Sequence, residues 1–255
     1  MADGARASPY GLDFAPSYLP NFVGVGVGFA PDYVGSDDYR FGVAPFGRLS
    51  RGARYVDVAA NFARVNVLND PNWRLGPAAT LRFGRDDVED RAVRSLPDID
   101  TTIEVGGFLG YEVAWESAPR RRFNASVSLT HDALGAHDGF VASVSLRKWF
   151  PVGRFAAFGM AVGTSYGSED YADAFFSVTP AGAGASGLPA FDADAGLRDV
   201  RVTAVFVQPV SETFIIGAGA LYGRLIGDAA DSPIVKERGS PDQLIFGIGA
   251  AFLFR

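Results

Sequence analysis

The sequence predicts an all-β fold, a transmembrane antiparallel β-barrel of the bacterial outer membrane with about 12 strands, or about ten as the alternative. Three observations predict it. Apolar residues alternate with small or polar residues along most of the chain. No run of about 20 apolar residues, the length of a membrane-spanning helix, occurs in the sequence. Glycine makes up 31 of the 255 residues, and cysteine, which disulfides and thiolate metal sites require, is absent.

The alternation is clear in residues 101–115, where one face of a predicted strand is apolar. Ile103, Val105 and Leu109 share that face, whereas Glu104 lies on the opposite one. Eleven segments show this period of two, and most reach the ~9–11 residues that a tilted strand needs to cross a bilayer. They are residues 22–30, 40–50, 53–67, 73–84, 100–115, 121–131, 139–150, 153–165, 198–209, 213–225 and 242–254.

An odd number of segments conflicts with the even strand number of single-chain bacterial barrels. In addition, the segments at 73–84 and 100–115 would run in the same direction, although the segments from 100 onward alternate. Either residues 86–99 hold a polar strand or a passage through the lumen, or the strands within 53–84 are miscounted. We predict twelve strands, with ten as the alternative.

A soluble β-sandwich or lipocalin-like barrel also alternates, so other features must separate it from a membrane barrel. The polar faces are rich in Gly, Ser, Thr and isolated charges, which suits a hydrated lumen. Connections are either short, as at 151–154, or long, as at 166–196, which is typical of periplasmic turns and outer loops. Aromatic residues gather near strand ends, as at a membrane interface. They are Tyr111, Trp115, Trp149, Phe150 and Tyr222.

Residues 1–20 are predicted to form an extended N-terminal arm, and residues 21–255 a single barrel domain. Pro9, Pro16 and Pro20 make the arm a poor strand, so we expect it on the periplasmic side or within the lumen. The arm lacks the apolar segment of a signal peptide. The sequence is therefore expected to be the mature form of an outer-membrane protein.

Several charged residues fall on the predicted inner faces of the strands. They are Arg74, Arg82, Glu104, Glu112, Arg147, Asp199 and Arg201, with Arg198 as the alternative to Arg201. These side chains could line a narrow pore, or they could pair and close it, because unpaired charges in a confined lumen are costly. The long loop at 166–196 could fold inward as a constriction, since its glycine-rich stretch is permissive.

No arrangement of residues predicts an enzyme, a cofactor or a metal site. His131 shares a strand face with Leu129, whereas Ser126 and Ser128 point to the opposite face. A serine nucleophile and its histidine base must come within hydrogen-bond reach, and the strand keeps these residues apart. We therefore expect a protein without catalytic activity.

The acidic residues at 37–38 and 169–173 lack the spacing of a calcium loop and are interpreted as solvated surface. The net charge of −6 disfavours a nucleic-acid partner, which requires a basic surface. The strands instead predict outer-membrane lipid and lipopolysaccharide as the surroundings of the protein. The oligomeric state stays open.

Seven stretches of the sequence form an ordered set across almost the whole chain. They are 31–39 (PDYVGSDDY), 76–86 (GPAATLRFGRD), 99–112 (IDTTIEVGGFLGYE), 137–139 (HDG), 171–178 (YADAFFSV), 186–200 (SGLPAFDADAGLRDV) and 225–240 (LIGDAADSPIVKERGS). The set resembles the MipA/OmpV family of Gram-negative outer-membrane proteins, also called MltA-interacting proteins. The most specific parts are two candidate outer-loop motifs, formed by Ser186, Gly187, Leu188 and Pro189 and by Asp231, Ser232 and Pro233.

The resemblance implies an outer-membrane barrel and the family's name-giving role, a non-enzymatic scaffold that links a periplasmic lytic transglycosylase to a murein synthase. Other relatives imply the alternative, a narrow passive pore or an outer-loop interaction or adhesion protein. The sequence departs from related barrels at its end, because Arg255 follows the terminal aromatic Phe254. This weakens the usual signal for assembly.

The periplasmic turns are too short to form the ~1,600 Å² of a stable protein interface by themselves. A periplasmic partner would therefore need the 1–20 arm as well. Deleting residues 2–20 is expected to abolish binding of a transglycosylase.

Overall fold

A computed structural model describes residues 15–254, which form one closed barrel of twelve antiparallel strands. Predictions for residues 1–14 and Arg255 fall outside the described residues. The strands are β1 (Asn21–Pro31), β2 (Tyr39–Arg51), β3 (Arg54–Ala59), β4 (Phe62–Asn66), β5 (Trp73–Arg82), β6 (Thr102–Trp115), β7 (Ala118–Asp132), β8 (Phe140–Val152), β9 (Ala156–Gly167), β10 (Gly196–Pro209), β11 (Phe214–Leu225) and β12 (Asp242–Phe254). Each strand pairs with its neighbours in sequence, and β1 pairs with β12 to close the barrel. The prediction of twelve strands is confirmed.

The missing twelfth strand lies within residues 53–67, which the alternation predicts as a single strand. The chain reverses at Ala60 and Asn61, so that β3 and β4 form a tight hairpin that closes with the pair Ala59↔Phe62. Ala60 has a positive φ of 56°, which lets the backbone turn there. The turn contains neither glycine nor proline, and Asn61 is its single turn-favouring residue, so the sequence pattern does not make it evident.

The all-β prediction omits the five short helices found within residues 15–254. They are α1 (Arg91–Arg94), α2 (Glu169–Phe176), α3 (Pro180–Ser186), α4 (Asp228–Asp231) and α5 (Pro233–Lys236). Residues 86–99 therefore contain a helix, and the polar strand considered for them is wrong. None of the helices within residues 15–254 is long and apolar enough to cross a membrane.

Local capping interactions start and end these helices. The side chain of Ser168 caps α2, and that of Thr179 caps α3, whose first residue is Pro180. Gly187 ends α3 in the left-handed conformation with a φ of 78°. Such signals are short, and they are easily read as loop sequence between strands.

Connections at the two ends of the barrel differ in length. One end, here called the turn end, holds the short connections 52–53, 67–72, 116–117, 153–155 and 210–213. The opposite loop end holds the connections 32–38, 60–61, 83–101, 133–139, 168–195 and 226–241. Because bacterial barrels place short turns in the periplasm and long loops outside, the turn end corresponds to the periplasmic side.

The outer surface of the barrel is a belt of exposed apolar side chains. In β1, Val23, Val25 and Val27 are 59%, 53% and 40% exposed, and the glycines between them face the lumen. The other strands alternate in the same way, with large aliphatic and aromatic residues outward. Contact between such a large apolar belt and water is unfavourable, whereas contact with lipid is favourable. The predicted class of membrane-spanning barrel is confirmed.

Gly106 and Gly107 of β6 offer a matched test of strand packing. A Cβ atom on Gly106 would lie 1.9 Å from the carbonyl oxygen of Leu129, whereas one on Gly107 would meet the carbonyl oxygen of Gly76 at 3.4 Å. We expect Gly106→Ala to lower the free energy of unfolding in detergent micelles by about 1–3 kcal/mol, because the backbone of β7 must shift. Gly107→Ala should change it much less. Equal urea midpoints for the two variants would contradict this packing.

Candidate functional site

The inner surface of the barrel divides into an apolar half and a polar half. The apolar half lies on β1, β2, β10, β11 and β12 and borders a cavity of about 110 Å³. Its walls are mainly Gly, Ala, Val and Ile, together with Phe22 and Phe46. The polar half carries the charged residues that the sequence places on inner strand faces.

Glu104 of β6 is a fully buried carboxylate in the polar half. Arg82 donates to its two carboxylate oxygens from Nε at 2.7 Å and from Nη2 at 2.9 Å. Thr130 donates a further hydrogen bond at 2.9 Å, and Nε2 of His137 lies 3.3 Å from Oε1. One carboxylate thus joins β5, β6, β7 and a connection of the loop end.

Asp199 of β10 is also fully buried and receives two arginines. Arg198 donates from Nε at 2.8 Å, Arg201 from Nη1 at 2.7 Å, and Ser165 from Oγ at 2.9 Å. The sequence left Arg198 and Arg201 as alternatives for the inner face. The register of β10 against β9 shifts between Leu197 and Asp199, and this bulge turns Arg198 inward as well. Both arginines therefore face the lumen.

Asp57 of β3 lies between two arginines that the sequence did not predict for the lumen. Arg48 donates to it from Nε at 2.5 Å and from Nη2 at 2.6 Å, and Arg64 donates from Nη2 at 3.0 Å. The alternation hides this group, because a single strand over 53–67 would place Asp57 and Arg64 on opposite faces. The turn at 60–61 resets the alternation and brings both side chains inward.

Glu112 of β6 lies near the turn end of the lumen. Nη1 of Arg122 is 2.8 Å from its Oε1, and Nη2 of Arg74 is 3.5 Å from the same oxygen. Ser17, which precedes β1, donates a hydrogen bond to that oxygen at 2.7 Å. Residues 15–20, the described part of the predicted arm, therefore contact the inside of the barrel at its turn end.

A polar cavity of about 110 Å³, here called the arginine cavity, lies among these groups. Five guanidinium groups line it, and they belong to Arg64, Arg82, Arg147, Arg198 and Arg201. Five serine hydroxyls also line it, those of Ser126, Ser128, Ser143, Ser145 and Ser165. No residue of its lining, as described within 15–254, carries a carboxylate. The carboxylates that bind the arginines lie behind them in the barrel wall.

Helix α2 lies at the loop end, against two of the arginines that line the arginine cavity. The ring of Tyr171 is fully buried, and its centre lies 5.5 Å from the guanidinium of Arg82 and 5.3 Å from that of Arg198. Arg198 donates a hydrogen bond to the Tyr171 hydroxyl at 2.7 Å. Phe175 stacks on Tyr171 at 4.6 Å, and His137 meets it edge-on at 5.2 Å. Tyr171 thus forms a lid at the loop end, since it contacts arginines of the lumen and aromatic side chains of the outer loops.

The first candidate outer-loop motif serves mainly to shape its own loop. Ser186 donates to the carbonyl of Gly182 at 2.7 Å and accepts from the amide of Leu188 at 3.2 Å. Gly187 ends α3, and Leu188 is buried in a cluster that joins several outer loops. Pro189 is exposed.

The second motif fastens its loop to α2. Ser232 donates to the carbonyl of Phe176 at 2.6 Å, and Pro233, which begins α5, is buried. Asp231 is exposed and pairs with Lys236 at 3.3 Å. Leu188, Ser232 and Pro233 are therefore internal packing of the loop end, whereas Gly187, Pro189 and Asp231 are exposed there.

Residues considered for catalysis or metal binding lie apart. His131 is on the exposed outer face of β7, whereas Ser126 and Ser128 line the arginine cavity. Glu169 and Asp170 are exposed at the start of α2. Within residues 15–254, no group of three or more His, Asp or Glu side chains is placed to hold a metal ion.

An ion pair between two outer loops gives a pH-dependent test. Nη2 of Arg238 lies 2.5 Å from Oδ2 of Asp90. Burial acts to raise the pKa of Asp90, but Arg238 and the amides of Ala92 and Val93 outweigh it, so the pKa lies below its usual value. Because the folded pKa is depressed, the pair stabilises the loops above the ordinary carboxyl pKa. That contribution is lost as the pH falls through the depressed value.

We expect Arg238→Gln to raise the pKa of Asp90, followed through the carboxyl ¹³C signal of aspartate-labelled protein. Lys236→Gln is the matched control, because it removes an exposed cation from the same loop and should leave Asp90 unchanged. The same pKa for Asp90 in Arg238→Gln and in the wild type would show that the pair does not form.

Two known proteins show what this chain is similar to in sequence and in fold. YiaT of Escherichia coli K12, provisionally named an outer membrane protein, is 28% identical over 161 residues, which are 63% of this chain and 61% of YiaT. The chain thus spans less than two-thirds of this curated relative. An outer membrane channel of Pseudomonas putida F1 has a similar fold, with a TM-score of 0.48 and 12% identity over 98% of this chain and 100% of that one.

The model of one protein family matches the chain along almost all of the described barrel. That family is described as the MltA-interacting protein MipA, and the match covers residues 23–254. The match begins in β1 and ends in β12, so it takes in every strand, every outer loop and the whole arginine cavity. The chain therefore belongs to the MltA-interacting protein MipA family.

Proposed function

We propose that this protein is a non-enzymatic scaffold of the outer membrane, which binds a periplasmic lytic transglycosylase and connects it to a murein synthase. Membership of the MltA-interacting protein MipA family supports this role. The observation that carries it is the filled loop end, where Tyr171 and Phe176 are almost completely buried under packed outer loops. A barrel covered in this way suits a binding protein better than a passive pore. Outer-membrane lipid and lipopolysaccharide would surround it.

The partner would approach the turn end, which faces the periplasm. The connections there are short, and the longest is 67–72. Residues 15–20 are partly engaged within the barrel, since Ala15 packs in the same cluster as Trp149 and Ser17 binds Glu112. An interface of ~1,600 Å² would therefore need residues 1–14 in addition to the turns.

Deleting residues 2–14 tests this proposal more sharply than deleting residues 2–20, because it leaves the packing of Ala15 and Ser17 in place. We expect the shorter deletion to weaken the binding of a purified lytic transglycosylase to the immobilised barrel at least tenfold. A few residues carry most of the binding energy of a protein interface, and the short turns alone offer few of them. Lys236→Gln, at the opposite end, is the control and should bind like the wild type. Full binding by the deletion variant would contradict the proposed interface.

A narrow passive pore is the second candidate function. The arginine cavity supports it, because a polar space lined by guanidinium groups already occupies part of the lumen. Solute could pass only if α2 and Tyr171 moved away from the loop end. The two candidates therefore differ in whether the resting barrel conducts ions.

A further inference from the structure

We propose that basic and aromatic side chains on the outer face of the barrel, at its turn end, bind the phosphate group of an anionic glycerophospholipid in the periplasmic leaflet of the membrane. These residues, here called the turn-end patch, are Trp115, Arg121, Lys148, Phe150, Arg154 and Phe155. The patch faces lipid, whereas the scaffold interface would face the periplasm, so the proposal is independent of the scaffold role. It rests on the sign of the charges, on their lack of partners within residues 15–254 and on the neighbouring aromatic rings.

The charged strand residues that point outward near the turn end all carry the same sign. Within the part of the chain that the structure describes, they are Arg51 of β2, Arg54 of β3, Arg121 of β7 and Lys148 of β8, and each is exposed. Acidic strand residues at this end, such as Glu112, are buried on the lumenal face. The outer face of these strands therefore presents positive charge where the barrel meets the periplasmic leaflet.

The three cations of the turn-end patch lie close together on neighbouring strands. Lys148 of β8 pairs with Phe123 of β7, whose nearest neighbour on the same strand face is Arg121. Arg120 donates a hydrogen bond at 2.7 Å to the carbonyl oxygen of Arg154, which holds the turn after β8 beside the start of β7. None of the three cations forms an ion pair with a carboxylate of residues 15–254. Their charge is therefore accessible to an anion from outside the chain.

Aromatic rings place these cations at the depth of the lipid headgroups. Nζ of Lys148 lies 5.6 Å from the ring centre of Trp115 and 5.1 Å from that of Phe150. The guanidinium of Arg154 lies 5.1 Å from the ring centre of Phe155, and both Trp115 and Phe155 are exposed. Aromatic side chains of membrane proteins gather at the interface between hydrocarbon and headgroups, and basic side chains extend from there toward the polar region. The charged atoms of the patch therefore lie level with the lipid phosphates.

The surroundings of the patch favour a lipid over a soluble anion. Leu146 precedes Lys148 on the outer face of β8, and Met160 of β9 pairs with Lys148, so that both belong to the apolar belt. A ligand of this surface therefore needs an anionic group next to hydrocarbon chains. Ammonium and guanidinium groups donate charge-assisted hydrogen bonds to phosphate oxygens, and basic clusters beside membrane-spanning segments bind anionic lipids. Phosphatidylglycerol fits this surface, because its phosphate is not offset by a cation in the same headgroup, as it is in phosphatidylcholine.

Fluorescence quenching by brominated lipids tests the patch in the full chain, because Trp115 is one of its members. The protein is reconstituted in phosphatidylcholine bilayers as the Trp73→Phe variant, in which Trp115 is the exposed tryptophan, since Trp149 is buried. Part of the lipid is then replaced by phosphatidylglycerol or by phosphatidylcholine, each with brominated chains. We expect phosphatidylglycerol to bind next to Trp115 about threefold more tightly than phosphatidylcholine at low salt, and this preference to fall at high salt.

Adding both Arg121→Gln and Lys148→Gln should make the two lipids bind about equally, because the cations nearest to Trp115 are lost. Arg224→Gln is the matched control, since it removes an exposed arginine from the loop-end half of β11 and should keep the preference. Comparing two lipids in each protein cancels changes in the fluorescence of Trp115 itself, and heat-modified mobility on gels verifies that each variant is folded.

The proposal is wrong if Trp115 shows no preference for phosphatidylglycerol, or if the variant that lacks both cations keeps the preference. Absence of a lipid preference, together with loss of transglycosylase binding in that variant, would assign the cations to a protein partner instead.

Discussion

Replacing Glu104 by glutamine is expected to lower the free energy of unfolding by about 3–5 kcal/mol, because it removes a buried carboxylate charge that a buried arginine binds. Arg82 is 3% exposed and donates two hydrogen bonds to Glu104. Glutamine has nearly the same size, and its carbonyl oxygen can still accept a hydrogen bond from Thr130. The loss therefore reports on the charge and not on the packing of the lumen.

Urea unfolding in detergent micelles, with Arg82→Gln and the double variant, measures this coupling. We expect the double variant to be more stable than the sum of the two single losses predicts, as is usual for residues in direct contact. Glu237→Gln is the matched control, because Glu237 is exposed at the loop end. Simple additivity of the two single losses would argue against a coupled pair.

Replacing Tyr171 by alanine is expected to cost about 3–5 kcal/mol, as other buried aromatic-to-alanine changes do. Its ring packs against Phe175, His137 and two guanidinium groups, and it is fully buried. The change would open a cavity where the outer loops meet the lumen. We therefore expect the loop end to loosen before the strands unfold, since local openings begin where packing is weakest.

Amide hydrogen exchange of α2, together with urea unfolding, measures the effect of Tyr171→Ala. Tyr171→Phe is the matched variant, because it keeps the ring and removes only the acceptor for Arg198. We expect it to cost about 1 kcal/mol. If Tyr171→Ala exchanges and unfolds as the wild type does, Tyr171 is not the lid described above.

The strands could be predicted from sequence because each places lipid-facing and lumen-facing residues at alternate positions. The hairpin of β3 and β4 could not, since Asn61 is the single turn-favouring residue at the reversal and apolar residues continue on both sides of it. A turn within an alternating sequence can be recognised only when it contains residues that favour turns, such as an Asn-Gly or Asp-Gly pair. Here the positive φ is adopted by Ala60, which is not such a residue.

The predicted lumenal residues differ in how the structure accounts for them. Glu104 and Glu112 follow directly from strand alternation. Arg198 and Asp199 both face inward through a β-bulge, which no regular alternation can represent. Asp57 and Arg64 depend on the hidden turn. Sequence alternation therefore assigns residues correctly to the inner or outer face only within regular stretches of strand, between one bulge or turn and the next.

The net charge of −6 conceals a separation of charge within the molecule. Arginines concentrate in the lumen, where the arginine cavity carries five of them. Exposed acidic residues such as Glu169, Asp170 and Asp173 lie on the outer loops. The net charge of the whole chain therefore hides the basic lumen, which became visible only once the strands were paired into a barrel.

The central claim, that packed outer loops close the resting barrel, is tested most directly by single-channel recording in planar bilayers. A matched variant is available, because Gly167 and Gly196 are paired across β9 and β10, so a two-residue Asn-Gly turn can replace residues 168–195. The wild type is expected to show no discrete conductance steps, and the loop-deleted barrel to show them. Steps of equal size in both proteins would contradict the claim and favour a passive pore.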